Sequence, residues 1–300
     1  MLRRATYWQT RRTAALRRWS WRGFSSAADS SQHVAVLRRP DDATATLMLQ
    51  SPPINALSLP LVTQLTAAVR ELEADDSIRG FVLASSSSRV FSGGIHLPEL
   101  LLGDNGSTDG IATFWSAFQQ LALVLHGTPL ASVAAVSGAC PAGGCLLALC
   151  CDERLMAHDV KGTTIGLNEA AFGLVPPYWL CDLLVGAVGS RRAESMITRG
   201  TLLGPGAALD AGLIDELVEG DAIADAAHAR LLELLLVPDA SRAGAKTQMR
   251  AAWAEELRRR RGEDLAHVLE FVRSSEVQGA VQSYLKALRG GAGRSQSVEQ

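Results

Sequence analysis

The sequence predicts an α/β layer fold that ends in a helical C-terminal part. Three observations predict it. Short apolar runs of strand length alternate with segments of helical period. Gly, Pro, Ser and Asp clusters punctuate the boundaries between them. Beyond residue 177 nearly every periodic segment has helical spacing. At 300 residues and 47% hydrophobic content, the chain can build one large domain or two small ones, and disorder over most of its length is excluded.

Taken in order, His33–Leu37 and Thr44–Leu49 read as strands joined by a turn at Pro40-Asp41-Asp42. Ser51-Pro52-Pro53 ends the second strand. Ser58 is the N-cap of a helix with Pro60 in its first turn, and Leu61, Leu65, Ala68 and Leu72 mark its apolar face to about Glu73. Gly80–Ala84 and Ala131–Val136 are continuous apolar runs, as in strands buried on both faces. Between them Ile111–His126 is helical and stops at Gly127-Thr128-Pro129. Gly143–Cys151 reads as a short apolar helix and Arg154–Ala157 as the strand after it. Helices are then expected over Pro177–Val188, Arg191–Thr198, Ala222–Leu236, Ala243–Arg261 and Leu265–Arg289.

Residues 1–28 carry seven Arg and no acid. Arg4, Arg11 and Arg18 fall on one helical stripe, with Trp8, Ala15, Leu16 and Trp19 roughly opposite. This is the composition of a mitochondrial transit peptide, with a processing point expected near Arg22–Ser26. Removing those seven Arg from 29 basic residues leaves 22 against 31 acidic ones, a net charge of −9. A body that acidic argues against nucleic acid as a partner. The division expected is a transit peptide over 1–28, a core over 29–220 and a helical region over 221–300.

The five cysteines (140, 145, 150, 151 and 181) form no zinc pattern and read as small buried apolar residues in a reducing compartment. No metal site is expected. No Asp, Glu, Lys or Arg occurs from Gly110 to Cys151, but Gly127-Thr128-Pro129 and Gly138–Gly144 interrupt the run. A buried helix–strand–helix therefore explains it better than a membrane span.

Three segments carry chemistry. Phe91-Ser92-Gly93-Gly94-Ile95-His96-Leu97 follows a strand, and its paired glycines let backbone approach a ligand closely. Gly138–Cys145 follows another strand and opens a helix, whose first N–H groups lack intrahelical partners. Two such loops could aim two N–H groups at one oxygen, although either alone serves equally well as a tight packing turn. The third, Thr164–Pro177, holds Glu169 as a lone carboxylate among apolar neighbours. In a dry pocket it would be a base near neutral pH; on an open loop it would be solvated. No phosphate-binding Gly-Lys loop, dinucleotide fingerprint or Gly-x-Ser-x-Gly elbow is present.

In this order the segments resemble the enoyl-CoA hydratase/isomerase (crotonase) superfamily. Phe91–Leu97 matches its F-S-A-G-x-D-L loop, Pro141–Cys145 its Gly-Gly-Gly loop and helix, and Glu169 its second acidic position. Ala139–Leu146, Ile165–Glu169, Tyr178-Trp179-Leu180 and Tyr284–Leu288 look most like the mitochondrial Δ3,Δ2-isomerase branch. The resemblance spans roughly residues 33–290.

The resemblance implies a crotonase-like spiral of ββα units with a helical C-terminal region that makes trimer contacts, and hence a homotrimer in the mitochondrial matrix. It implies that the N–H groups of Ile95 and Gly143 form an oxyanion hole. Gly93, Gly94, Ile95, His96, Leu97, Gly143 and Asn168 would bind the substrate, an acyl-CoA thioester, and Glu169 would be the acid/base. No cofactor is implied, CoA being part of the substrate. Hydratases of the family carry a first glutamate where this chain has Leu146, which favours isomerisation of 3-enoyl-CoA to trans-2-enoyl-CoA in β-oxidation. The rivals are hydratase or dienoyl-CoA isomerase activity, a non-catalytic acyl-CoA binder or RNA-associated relative, and a serine peptidase on a related fold. Two departures stand out: His96 replaces the family Asp, read here as a loop hydrogen-bonder, and Gly93 replaces the common Ala. With only Lys161, Lys246 and Lys286 beyond the leader, Arg would supply most CoA phosphate contacts, Lys286 being a weak candidate.

Overall fold

The computed structural model describes residues 31–295; the Arg-rich leader read over 1–28 lies outside them. Strand β1 (Val34–Arg39) pairs antiparallel with β2 (Thr44–Leu49) across a 3-10 turn at Pro40–Asp42. Strands β3 (Gly80–Ser85), β4 (Ala131–Val136), β6 (Glu153–Ala157) and β8 (Glu216–Val218) extend the sheet in parallel, in the order β1-β2-β3-β4-β6-β8. A two-stranded parallel ladder, β5 (Cys140–Pro141) with β7 (Ile165–Gly166), stands apart from this sheet.

Alternation along the strands explains the layers. In β3, Phe81 and Leu83 enter the main core while Val82 and Ala84 face the other side. The main core is closed by α1 (Leu59–Glu73), α2 (Asp109–Gly127) and α3 (Gly143–Cys150). The opposite face is covered by α7 (Ile223–Leu234), through Ile223, Ala227 and Leu231. Both faces of β3 and β4 are buried, as their unbroken apolar runs predict. Ser58 caps α1 by accepting from the Leu61 N–H, and the four apolar positions read from the sequence are its buried stripe.

Helices α4 (Tyr178–Val188), α5 (Ser190–Arg199) and a short α6 (Pro205–Asp210) lead to β8. The C-terminal part differs from its sequence reading. One helix, α8 (Asp239–Val272), runs through Gly262, where two helices are expected. A helical Gly costs only about 1 kcal/mol, and buried Asp264, two residues on, anchors the helix there. Its Oδ2 accepts from the indoles of Trp115 and Trp179 and from the Gln119 amide, at 2.7, 3.1 and 2.7 Å. The break comes at Arg273-Ser274, and the Ser274 hydroxyl accepts from the Glu276 N–H as α9 (Ser275–Ser295) begins.

Cys140, Cys145, Cys150 and Cys151 are buried and unpaired, as small apolar residues should be, whereas Cys181, also read as buried, is only half-buried on α4. Burial pushes the Cys140 thiol well up and those of Cys145 and Cys150 up, which leaves them protonated. Among the described residues no cluster could hold a metal ion, and no helix is long and apolar enough to cross a membrane.

Candidate active site

The loop after β2 organises the site through a residue the sequence reading missed. Asn55 is buried, with φ at +48°, a conformation Asn tolerates. Its Oδ1 accepts from the Ser51 N–H at 2.7 Å, and its Nδ2 donates to Ser85 Oγ at 2.8 Å and to the Phe91 carbonyl at 3.1 Å. The Ser92 hydroxyl donates back to the Asn55 carbonyl at 2.7 Å. One amide thus ties the end of β3 to the loop Phe91–Leu97. The Pro-Pro-Ile-Asn turn was the available signal.

Along that loop, Leu57 donates to the Gly94 carbonyl at 2.8 Å and accepts from the His96 N–H at 3.1 Å. A parallel bridge of this kind uses the groups on either side of Ile95 and turns the Ile95 N–H the other way. It turns toward the start of α3. A Cβ on Gly143 would lie 3.4 Å from the Ile95 nitrogen, and a Cβ on Gly94 would lie 3.2 Å from the Gly143 nitrogen. Gly94 has φ +84°, and Gly144 passes so close to Ser92 that a Cβ would stand 2.5 Å from its carbonyl oxygen. The two segments are therefore held at a spacing that side chains would prevent. Ala142, ahead of Gly143, adopts φ +51°, a strained conformation for a residue with a Cβ. Among the described residues, neither the Ile95 N–H nor the Gly143 N–H donates to a protein group.

Beside them opens a cavity of about 570 Å³. Gly93, Ile95, His96 and Leu97 line it, as do Ala142, Asn168 and Glu169. Gly94 and Gly143, read from the sequence as substrate-binding, are not among the lining residues; they pack against each other next to Ala142 and Ile95, which are. Glu169 begins a 3-10 turn, Glu169–Phe172. Its Oε2 is buried with no hydrogen-bond partner, and desolvation lifts its carboxyl to about 7, opposed only by its own backbone N–H. Of the two sequence readings of Glu169, the dry pocket is the one observed.

Three further placements refine the sequence reading. Leu146 is fully buried in the main core and does not line the cavity. The His96 ring is half exposed, with Nδ1 3.8 Å from Glu99 Oε1. That is an ion-pair distance rather than a hydrogen bond, and the loop is held by the His96 N–H instead. The Ile54 side chain fills the space an alanine would take at Gly93, its Cδ1 lying 2.7 Å from where a Cβ would stand. The cavity is also lined by Ala280, Val281 and Leu285 of α9, which the sequence reading assigned to subunit contacts.

A desolvated carboxylate in the same cavity as Ile95, whose N–H like that of neighbouring Gly143 has no protein acceptor among the described residues, is an arrangement of the class that can take a proton next to a carbonyl and hold the resulting oxyanion. Residues 40–289 match the family model described as enoyl-CoA hydratase/isomerase. The chain is 40% identical over 245 residues to enoyl-CoA delta isomerase 1, mitochondrial, of Mus musculus, covering 82% of this chain and 83% of that one. To the Homo sapiens protein of the same name it is 36% identical over 259 residues, covering 86% and 84%. The crystal structure of human mitochondrial delta3-delta2-enoyl-CoA isomerase superposes with a TM-score of 0.84 at 36% identity, over 87% of this chain and 99% of that one. Enoyl-CoA hydratase from Bacillus halodurans shares the fold, with a TM-score of 0.76 at 21% identity over 84% and 100%. The chain belongs to the enoyl-CoA hydratase/isomerase family and has the crotonase fold.

Proposed function

We propose that this chain is a Δ3,Δ2-enoyl-CoA isomerase that moves a proton from C2 to C4 of a 3-enoyl-CoA. One observation carries the reading: among the residues lining the cavity, Glu169 is the one carboxylate, and it is desolvated. Hydration must activate and orient a water, work that two carboxylates share. A 1,3-proton shift needs one group that takes a proton and returns it. The names of the mouse and human relatives support the same activity.

In this reading the thioester oxygen sits between the N–H groups of Ile95 and Gly143. Ionised Glu169 takes a C2 proton, and the electron pair delocalises through the thioester into a dienolate. The two N–H groups hold the developing charge on oxygen, each contributing about 3 kcal/mol to the barrier reduction if it behaves as a typical oxyanion-hole donor. The neutral carboxyl then protonates C4, which leaves a 2-enoyl thioester and restores the carboxylate. The apolar walls keep water from quenching the dienolate. Asn168, which lines the cavity, contacts the substrate. The sequence calls for no cofactor in any of these steps.

The leader composition and the mitochondrial relatives support a mitochondrial protein, and the reading extends to the matrix and to a homotrimer. Sedimentation of the purified chain tests the trimer. The activity is tested by offering the chain 3-hexenoyl-CoA and crotonyl-CoA in parallel. Isomerisation of the first with little hydration of the second is expected; the reverse preference would make the protein a hydratase.

A further inference from the structure

The cavity is chemically divided. Near its His33 side the Nδ1 of that residue lies 3.0 Å from Ser51 Oγ, and Ser58 also contributes to the lining. Apart from His96, Asn168 and Glu169, the rest of the lining is largely apolar, including Leu97 and Leu100 from the turn after the glycine loop, Phe172 and Leu174 from the Glu169 turn, and Val281 and Leu285 from α9. Helix α9 packs on both of these turns, Leu97–Leu100 and Glu169–Phe172. Its contributions are Ala280, Val281 and Leu285, of which Val281 and Leu285 lie four residues apart on one helical face and Val281 is buried.

One side chain ties this helix to its neighbours by hydrogen bonds. Gln278 Oε1 accepts from the Leu102 N–H at 3.2 Å, while its Nε2 donates to the Leu100 carbonyl at 3.0 Å and to the Val272 carbonyl at 2.8 Å. Both ends of the amide are satisfied by backbone. The start of α9 is thereby locked to the end of α8 and to the segment carrying Leu97 and Leu100.

We infer that Ala280, Val281 and Leu285 form the wall that limits the acyl chain beyond C4, and that Gln278 is the positioning residue that holds this wall in register. The inference rests on the acyl-CoA reading of the site. With the thioester at Ile95 and Gly143 and C2 to C4 under Glu169, the remaining methylenes must enter the apolar part of the cavity. The α9 residues that line it offer no polar side-chain atom to a pantetheine or a nucleotide, only hydrocarbon. The small side chain at 280 leaves room that a larger one would fill.

The test measures binding of hexanoyl-CoA and dodecanoyl-CoA by titration calorimetry, so its outcome does not depend on turnover. Val281→Ala is expected to shift the ratio of the two Kd values toward the longer chain by about tenfold, the scale of a one- to two-carbon change in an apolar pocket. Ala280→Leu is expected to shift it by a similar factor toward the shorter chain. Gln278→Met keeps the shape and removes all three hydrogen bonds; it is expected to flatten the ratio toward one. A ratio unmoved by Val281→Ala, or equal weakening for both chain lengths, overturns the inference, because the wall would then face the CoA portion or nothing at all. Val281→Ala removes only two methyl groups and decides the matter even if Ala280→Leu fails to fold. Failure of the isomerase reading would be seen separately, as wild-type protein that does not convert 3-hexenoyl-CoA.

Discussion

The indole of Trp179 donates to the buried carboxylate of Asp264 at 3.1 Å, which ties the long C-terminal helix to the helix that follows the Glu169 turn. Trp115 and Gln119 of α2 donate to the same oxygen. A substitution at Asp264 therefore strands three buried donors at once. Asp264→Leu is expected to destabilise the fold by about 3 kcal/mol, since each unsatisfied buried donor costs about 1–3 kcal/mol and the neighbours relax in part. A urea midpoint equal to that of the wild type would show that the carboxylate is dispensable.

Asn55 plays the corresponding part near the Phe91–Leu97 loop. Asn55→Ala removes the bonds to Ser51, Ser85 and Phe91 and places a Cβ residue with no local polar compensation at φ +48°. It is expected to cost about 2–3 kcal/mol of stability. It should also lower kcat/KM in the folded fraction, because the loop that carries Ile95 loses its anchor. Thermal unfolding and steady-state kinetics on the same preparation separate the two effects.

The glycines of the site are not equivalent. The nearest atoms to a Cβ at Gly93 all belong to the Ile54 side chain, with Cδ1 at 2.7 Å, and a side chain can shift, whereas a Cβ at Gly144 meets the Ser92 backbone carbonyl at 2.5 Å. Gly93→Ala should therefore retain most activity. Gly144→Ala should push the start of α3 away from the Ile95 loop and lower kcat by about 10²–10³, the cost of losing one oxyanion donor. Equal activities for the two variants would contradict the proposed placement of the Gly143 N–H.

Burial of Glu169 has a thermodynamic signature. Its carboxyl titrates at about 7 in the folded chain, against an ordinary 4.5. Between those values the folded state holds a proton that the unfolded chain releases, so ionisation favours unfolding. The favourable contribution is fully present below 4.5 and lost as pH rises through 7. Glu169→Gln, which stays neutral, should be more stable than wild type at about pH 8 by up to about 3 kcal/mol, and this advantage should vanish toward acid pH. Denaturant titrations at the two ends of that range read the difference. In the wild type, kcat/KM should rise with pH through about 7, as the base ionises.

Much of this architecture is legible in the sequence because local signals and burial agree. The apolar run Ala131–Val136 and the Ser58 cap with Pro60 each specify their element without help from the rest of the chain. Glu169 could be placed only by the resemblance of its surroundings. Its neighbours are apolar, but nothing local says whether a carboxylate on a turn faces water or a cavity. The wall from α9 is not legible, since the helix meets the Leu97–Leu100 turn through a pairing of distant segments, and a helical apolar stripe looks the same whether it covers a cavity or a subunit interface. The order of the strands in the sheet is similarly a property of the assembled chain. The sequence suggests a break near Gly262 because a glycine weakens a helix locally, while the Asp264 hydrogen bonds that overrule it come from residues more than eighty positions away.

The central claim is that one carboxylate performs both proton transfers, and the turnover of Glu169→Gln on 3-hexenoyl-CoA tests it most directly. The amide has nearly the same shape and cannot accept the C2 proton. The account predicts that kcat falls by about 10²–10⁴, the range for loss of a general acid–base, while KM changes little. A variant that keeps a kcat close to that of the wild type would contradict it and send the search for the base elsewhere in the cavity.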